Sequence, residues 1–272
     1  MNLTQRITSG LTLIVGIALI TYSQISKTNS QSQSQPTTIT STNSTCPTHL
    51  PYGIPAGTPQ TNDFIVRDIY CLSSNDDTKF ADYVAYRLDL DTISGDSNQQ
   101  RIWQSDPDIT PEATLEPEDY KGAYNALGTD RGHLAPLASF RGANWQQTNY
   151  LSNIAPMQST LNRGTWANLE DYERDIVRQY GEAYIITGTY YINNNCSLVT
   201  DNCSLILPQA DETHQIPSGF WKIIMYNGKI ESYLFAQETP KSKDFRLGKT
   251  ALSEIEVWSD LNLNFLLDYY EE

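Results

Sequence analysis

The chain has 272 residues, 39% of them hydrophobic, and a formal net charge of −14. That length suits one large domain or two small ones. The acidity excludes a broadly basic surface and, on composition alone, argues against a nucleic-acid partner, since backbone binding draws on Lys and Arg.

The first segment reads as targeting. Arg6 supplies a positive start, and Leu11-Thr-Leu-Ile-Val-Gly-Ile-Ala-Leu-Ile20 is a short apolar run. It falls short of the roughly 20 apolar residues that span a bilayer comfortably. Residues 1–23 are therefore a signal peptide or, alternatively, an uncleaved membrane anchor. Residues 24–45 are almost entirely Ser, Thr, Gln and Asn and cannot bury enough surface to order themselves, so they read as a linker. One domain over residues 46–272 is expected, in an exported protein that is secreted, periplasmic or tethered facing outward.

Four cysteines follow the targeting segment: Cys46, Cys71, Cys196 and Cys203. An even count behind an export signal suggests disulfides. The local pairing, Cys46 with Cys71 and Cys196 with Cys203, is preferred among the alternatives. The spacings match no zinc pattern.

Asn62-Asp-Phe-Ile-Val-Arg-Asp-Ile-Tyr-Cys71 is rich in β-branched and aromatic residues and reads as a strand, as does Phe80–Leu90. Residues 91–129 look like loop. Gly132-His-Leu-Ala-Pro136 is a small-residue segment at a strand end, and Tyr150-Leu-Ser-Asn-Ile-Ala-Pro156 is strand-like. Trp166, Leu169, Ile176, Val177 and Tyr180 recur at helical spacing and define one apolar face, with Gly181 as the stop. Ala183–Gly188, Phe220–Tyr226 and Ile230–Ala236 are strand candidates, the last two joined by an Asn227-Gly228 hairpin turn. A short helix is expected over Ala251–Trp258. The mix predicts an α+β fold with a largely antiparallel central sheet and flanking helices.

Between Arg131 and Arg178 lie five arginines, no lysine and four acids, so the acidic surplus sits elsewhere in the chain. A local arginine cluster can hold phosphate on an acidic protein, because screening removes charges beyond about 8–10 Å.

His133 is the candidate general base. Arg131 and Asp130 adjoin it, small neighbours leave room for a substrate, and no cysteine or serine has nucleophile-elbow context, so it would activate water. Spacing alone makes Asn162 a helix N-cap; its amide oxygen also suits a hard, hydrated ion such as Mg²⁺. Glu170 and Arg174 stand four apart, the spacing of a surface salt bridge. Functionally, Glu170 would accept hydrogen bonds from waters around an ion, while Arg174 and Arg101 would clamp phosphate.

Asp130-Arg-Gly-His133, Tyr150–Pro156, Leu161-Asn-Arg-Gly-Thr-Trp-Ala-Asn-Leu-Glu-Asp-Tyr-Glu-Arg174 and Ile216-Pro-Ser-Gly-Phe-Trp-Lys222 together resemble the DNA/RNA non-specific endonuclease family, Serratia-type secreted enzymes above all. The likeness spans roughly residues 62 to 258. It implies a ββα-metal fold and cleavage of both DNA and RNA to 5′-phosphorylated oligonucleotides. It further implies His133 as base, Asn162 as the protein ligand of Mg²⁺ (Mn²⁺ substituting), and Glu170 orienting waters. Arg101 and Arg174 would stabilise transition-state charge, Arg131 would shape the site, and Asp130 and Asn153 would support it. The protein would act as a monomer or homodimer. His133, Asn162 and Glu170 are all present, which argues against a catalytically dead binding protein.

Overall fold

The computed structural model describes residues 45–96, 100–192 and 205–270. The targeting segment, nearly all of the linker, and Cys196 with Cys203 lie outside them. Cys46 and Cys71 form a disulfide.

Seven strands form one antiparallel sheet: β1 (Asp63–Val66), β2 (Cys71–Ser74), β3 (Ala81–Asp89), β6 (Glu182–Tyr190), β7 (Gly219–Tyr226), β8 (Lys229–Ala236) and β9 (Lys249–Thr250), in spatial order β1-β2-β3-β6-β7-β8-β9. The expected strand over 62–71 is instead two strands. Arg67–Tyr70 turns the chain between them, and the Arg67 N–H donates to the Tyr70 carbonyl at 2.8 Å. Composition marked a β-rich stretch but not the reversal inside it. The β7–β8 hairpin turns at Asn227 (φ 46°) and Gly228 (φ 67°), the paired positive φ values of a type I′ turn.

Every residue of β7 is buried, so this strand has core on both faces. Its side chains alternate between them. Phe220 and Ile224, with Val84, Tyr86 and Leu88 of β3 and Ile185 of β6, face one cluster. Trp221, Ile223 and Met225, with Tyr83, Ala85 and Ile186, face the other, which includes Ile255 of helix α4 (Leu252–Ser259).

The first face carries the layer that matters for chemistry. A separate two-stranded ladder, β4 (Thr129–His133) with β5 (Ile154–Gln158), lies between α1 (Ala123–Leu127) and a long helical run in sequence. That run starts as α2 (Ser159–Leu161), passes through a π-helical stretch at Asn162–Trp166, and continues as α3 (Ala167–Tyr180). Leu169, Ile176 and Val177 of α3 are buried against the sheet, while Tyr180, at the end of the expected apolar face, is 37% exposed. Gly181 closes the helix, its N–H bonded to the Val177 carbonyl at 2.8 Å. Strand, strand and helix make the ββα unit.

Candidate active site

Strand β4 delivers three of the expected site residues from one short segment. Its pairing with β5 sets Asp130 opposite Met157, Arg131 opposite Pro156 and His133 opposite Ile154. The glycine between them serves packing: a Cβ on Gly132 would stand 2.6 Å from the Met157 Cβ. Leu134 and Ala135 are fully buried. The small residues therefore let two strands close on each other, where the sequence suggested room for substrate.

His133 is half-buried at the end of β4. Its Nε2 lies 3.4 Å from Asn149 Oδ1, and its ring is tilted over Trp103 with centroids 5.4 Å apart. Burial first, and then the Arg101 charge, lower its pKa to about 4, so the imidazole is neutral at physiological pH. The Asn149 contact favours a proton on Nε2, leaving Nδ1 to accept one.

Asn162 does not cap a helix. The run begins three residues earlier at Ser159, and Asn162 has helical backbone angles within it. Its Nδ2 donates to Asp130 Oδ2 at 2.9 Å. The amide is thus anchored by its nitrogen, and no described residue donates to its Oδ1. Asp130 also receives Arg163 through two bonds, Nε to Oδ2 at 2.8 Å and Nη2 to Oδ1 at 2.5 Å. Strand and helix are therefore tied at the ends that carry the chemistry. Departure from regular α-helix at such a place is a common mark of functional sites.

Glu170 does not pair with Arg174. That arginine bonds instead to Asp171, one turn back, and to Ser139 Oγ at 3.0 Å. Glu170 receives no hydrogen bond from a described residue. Burial pushes its pKa up to about 7, opposed mainly by the Lys222 charge and reinforced by Glu173.

A cleft of about 550 Å³ opens beside this constellation, lined by Arg101, Trp103, Tyr124, Arg131, Asn162 and Arg163 among others. His133, Glu170 and Arg174 do not line it. Arg131 is packed between Trp103 (5.4 Å to the ring centroid) and Tyr120 (5.2 Å), with its Nη2 on the Pro117 carbonyl. Asn153 is fully buried; it accepts from the Ala135 N–H and donates to the carbonyls of Ala135 and Thr148. It thereby braces the loop that follows His133.

The profile of the DNA/RNA non-specific endonuclease family matches residues 52–268. The chain belongs to that family. A nuclease of Serratia marcescens is 40% identical over 223 residues, covering 77% of this chain and 79% of its own. A nuclease of Nostoc sp. is 28% identical, covering 82% and 83%, respectively. Human mitochondrial endonuclease G is 33% identical across 52% of this chain and 46% of its own. Among solved structures, a chain of an EndoG/EndoGI complex superposes with a TM-score of 0.67 at 21% identity, covering 83% of this chain and 91% of that one. The fold is the ββα-metal nuclease fold, and the reaction class of this nuclease is hydrolysis within DNA and RNA strands.

Sequence reasoning missed several residues around this nuclease's site. Trp103 and Asn149 hold His133, and neither carries a local signature. Lys222 and Glu173 form a fully buried ion pair whose charges act on Glu170, with Tyr86 donating to Glu173 at 3.0 Å and the ammonium over the Trp166 ring, 4.5 Å from its centroid. One signal was available: a lone lysine in the otherwise apolar strand Phe-Trp-Lys-Ile-Ile-Met needs a buried partner.

Proposed function

We propose that this nuclease cleaves DNA and RNA with His133 as general base, Asn162 holding Mg²⁺, and Glu170 positioned by that ion's hydration. The observation that carries the reading is a pair of oxygen donors left open by the protein. Asn162 is anchored through its nitrogen, and Glu170 has no donor among the described residues. An amide oxygen and a carboxylate left open on one continuous helical run suit a hard cation that keeps most of its water. Such a cation would neutralise a non-bridging phosphate oxygen and the leaving 3′-oxygen.

The remaining steps belong to side chains. Neutral His133 takes a proton from the attacking water. Arg101, whose charge reaches His133, and Arg174, held by Asp171 and Ser139, stabilise the charge that builds on the phosphorane-like transition state. Arg131, held between two aromatic rings, shapes the wall beside His133. The products carry 5′-phosphates. Contacts to phosphate carry no sequence information, so sequence preference is weak. We also place the protein outside the reducing cytosol, because the Cys46–Cys71 disulfide needs an oxidising compartment.

The test is digestion of plasmid and RNA by the full chain, with Mg²⁺ and with EDTA, for wild type and His133→Ala. Both polymers should be cut only with the metal. His133→Ala should lose at least 10²–10⁴-fold in kcat, the span of general-base catalysis, with an unchanged unfolding midpoint. Retained turnover in the variant overturns the base assignment, and a folded wild type inert with every divalent metal overturns the whole reading.

A further inference from the structure

We propose that Tyr124 is a stacking platform for one unpaired nucleobase of the bound strand, an inference that rests on the nuclease reading above. Helix α1 presents Tyr124 to the cleft that Asn162 and Arg101 also line. The side chain is 54% exposed and forms no part of the core. Other exposed apolar side chains, such as Leu247 and Val257, are not part of this cleft's lining.

Tyr124 is also held in place. The Gly128 N–H returns to its carbonyl at 2.9 Å and closes α1. The guanidinium of Arg163 lies over one ring face, 5.1 Å from the centroid. Arg163 is gripped by Asp130 through two bonds, and Asp130 in turn holds Asn162. The ring is thus connected through Arg163 and Asp130 to the residue proposed to hold the metal. A cation fixes one face and exposure leaves surface for a planar partner.

Every nucleobase has a π-face, so a tyrosine here binds bases without choosing among them. A base inside a duplex is covered by its neighbours on both sides. The platform therefore acts on single strands, loops and frayed ends, and adds nothing for intact duplex. Lys121 and Arg101, which also line the cleft, supply cations for the flanking phosphates.

The experiment uses the full chain and three substrates of equal length: a single-stranded oligonucleotide, the same strand with abasic residues, and a duplex. Tyr124→Ala should raise KM on the base-bearing strand about ten-fold, the scale of one base–aromatic stack, with kcat within two-fold. The ratio of kcat/KM on base-bearing over abasic strand should fall about ten-fold, and so should the ratio of single strand over duplex. Tyr124→Phe should preserve both ratios, which separates stacking from any role of the hydroxyl. Equal losses on all three substrates would mean that Tyr124 only supports the local structure, and unchanged ratios would mean no base is stacked; either result overturns the inference. Wild type cutting none of the substrates overturns the nuclease reading as well, whereas active wild type with indifferent ratios overturns this inference alone.

Discussion

Glu170→Gln should make the metal-free protein more stable at pH 8 while removing turnover. In the folded chain burial raises the Glu170 pKa from 4.5 to about 7. That difference corresponds to about 3 kcal/mol between the charged and neutral forms. Glu170 keeps partial contact with solvent, which trims the cost to about 1–2 kcal/mol. The sign follows from proton uptake. Between pH 4.5 and 7 the folded protein retains a proton that the unfolded chain has released, so this group lowers stability as pH rises and its cost is complete above the folded pKa. Glutamine cannot ionise and escapes that cost. Thermal unfolding in EDTA at pH 5 and pH 8 reads the difference directly, since other titrating groups cancel between variant and wild type. At pH 5 the two should melt together. At pH 8 the variant should melt roughly 4 °C higher, given about 2–4 °C per kcal/mol for a domain of this size. Mg²⁺ should then stabilise wild type more than the variant. A variant no more stable than wild type at pH 8 would refute the idea that Glu170 is held at a cost for a cation.

Lys222→Met leaves Glu173 buried without its cation and should destabilise by about 3–5 kcal/mol in urea unfolding; adding Glu173→Leu should recover most of the loss. Asp130→Ala releases both Asn162 and Arg163 and should raise the half-saturating Mg²⁺ concentration about 10- to 100-fold, with a smaller effect on kcat at saturating metal. Duplex binding measured in EDTA should weaken with salt at a log–log slope of about −2 to −4, because the few cations near the cleft can contact only about two to four phosphates. A slope near zero or far steeper would show that another surface carries the substrate.

What was legible in the sequence was periodic or local. The apolar face of α3 repeats at 3.6 residues, β7 is a near-continuous apolar run bounded by a turn, and the Asn227-Gly228 turn needs positive φ at adjacent positions. What was not legible depends on partners far apart in the chain. Asn162 has the composition of a cap, but Asp130, 32 residues earlier, claims its side chain within a continuing helix. Glu170 and Arg174 have salt-bridge spacing, but Asp171 and Ser139 occupy the arginine. The run 62–71 has strand composition throughout, and only tertiary pairing reveals that it folds back on itself. Locally, α1 was hidden in a stretch that read as loop, since five residues give too little periodicity to detect.

An acidic protein acting on a polyanion needs the carboxylates of its ββα unit neutralised, and the ion pairs do this. Of the four acids between residues 131 and 178, Asp171 pairs with Arg174, Glu173 with Lys222 and Asp175 with Arg178. Asp130, just before that stretch, pairs with Arg163. Glu170 alone among them has no ion-pair partner in the described residues. A strand approaching Asp130, Asp171 or Asp175 meets carboxylates that already have cations, whereas Glu170 awaits one from solution. The remaining acidity acts differently. Beyond about 8 Å it is screened at physiological ionic strength, so it barely opposes binding in the cleft, yet at closer range it repels strands from the rest of the surface. The net charge of −14 thus restricts where a nucleic acid can settle without preventing it from settling at the cleft.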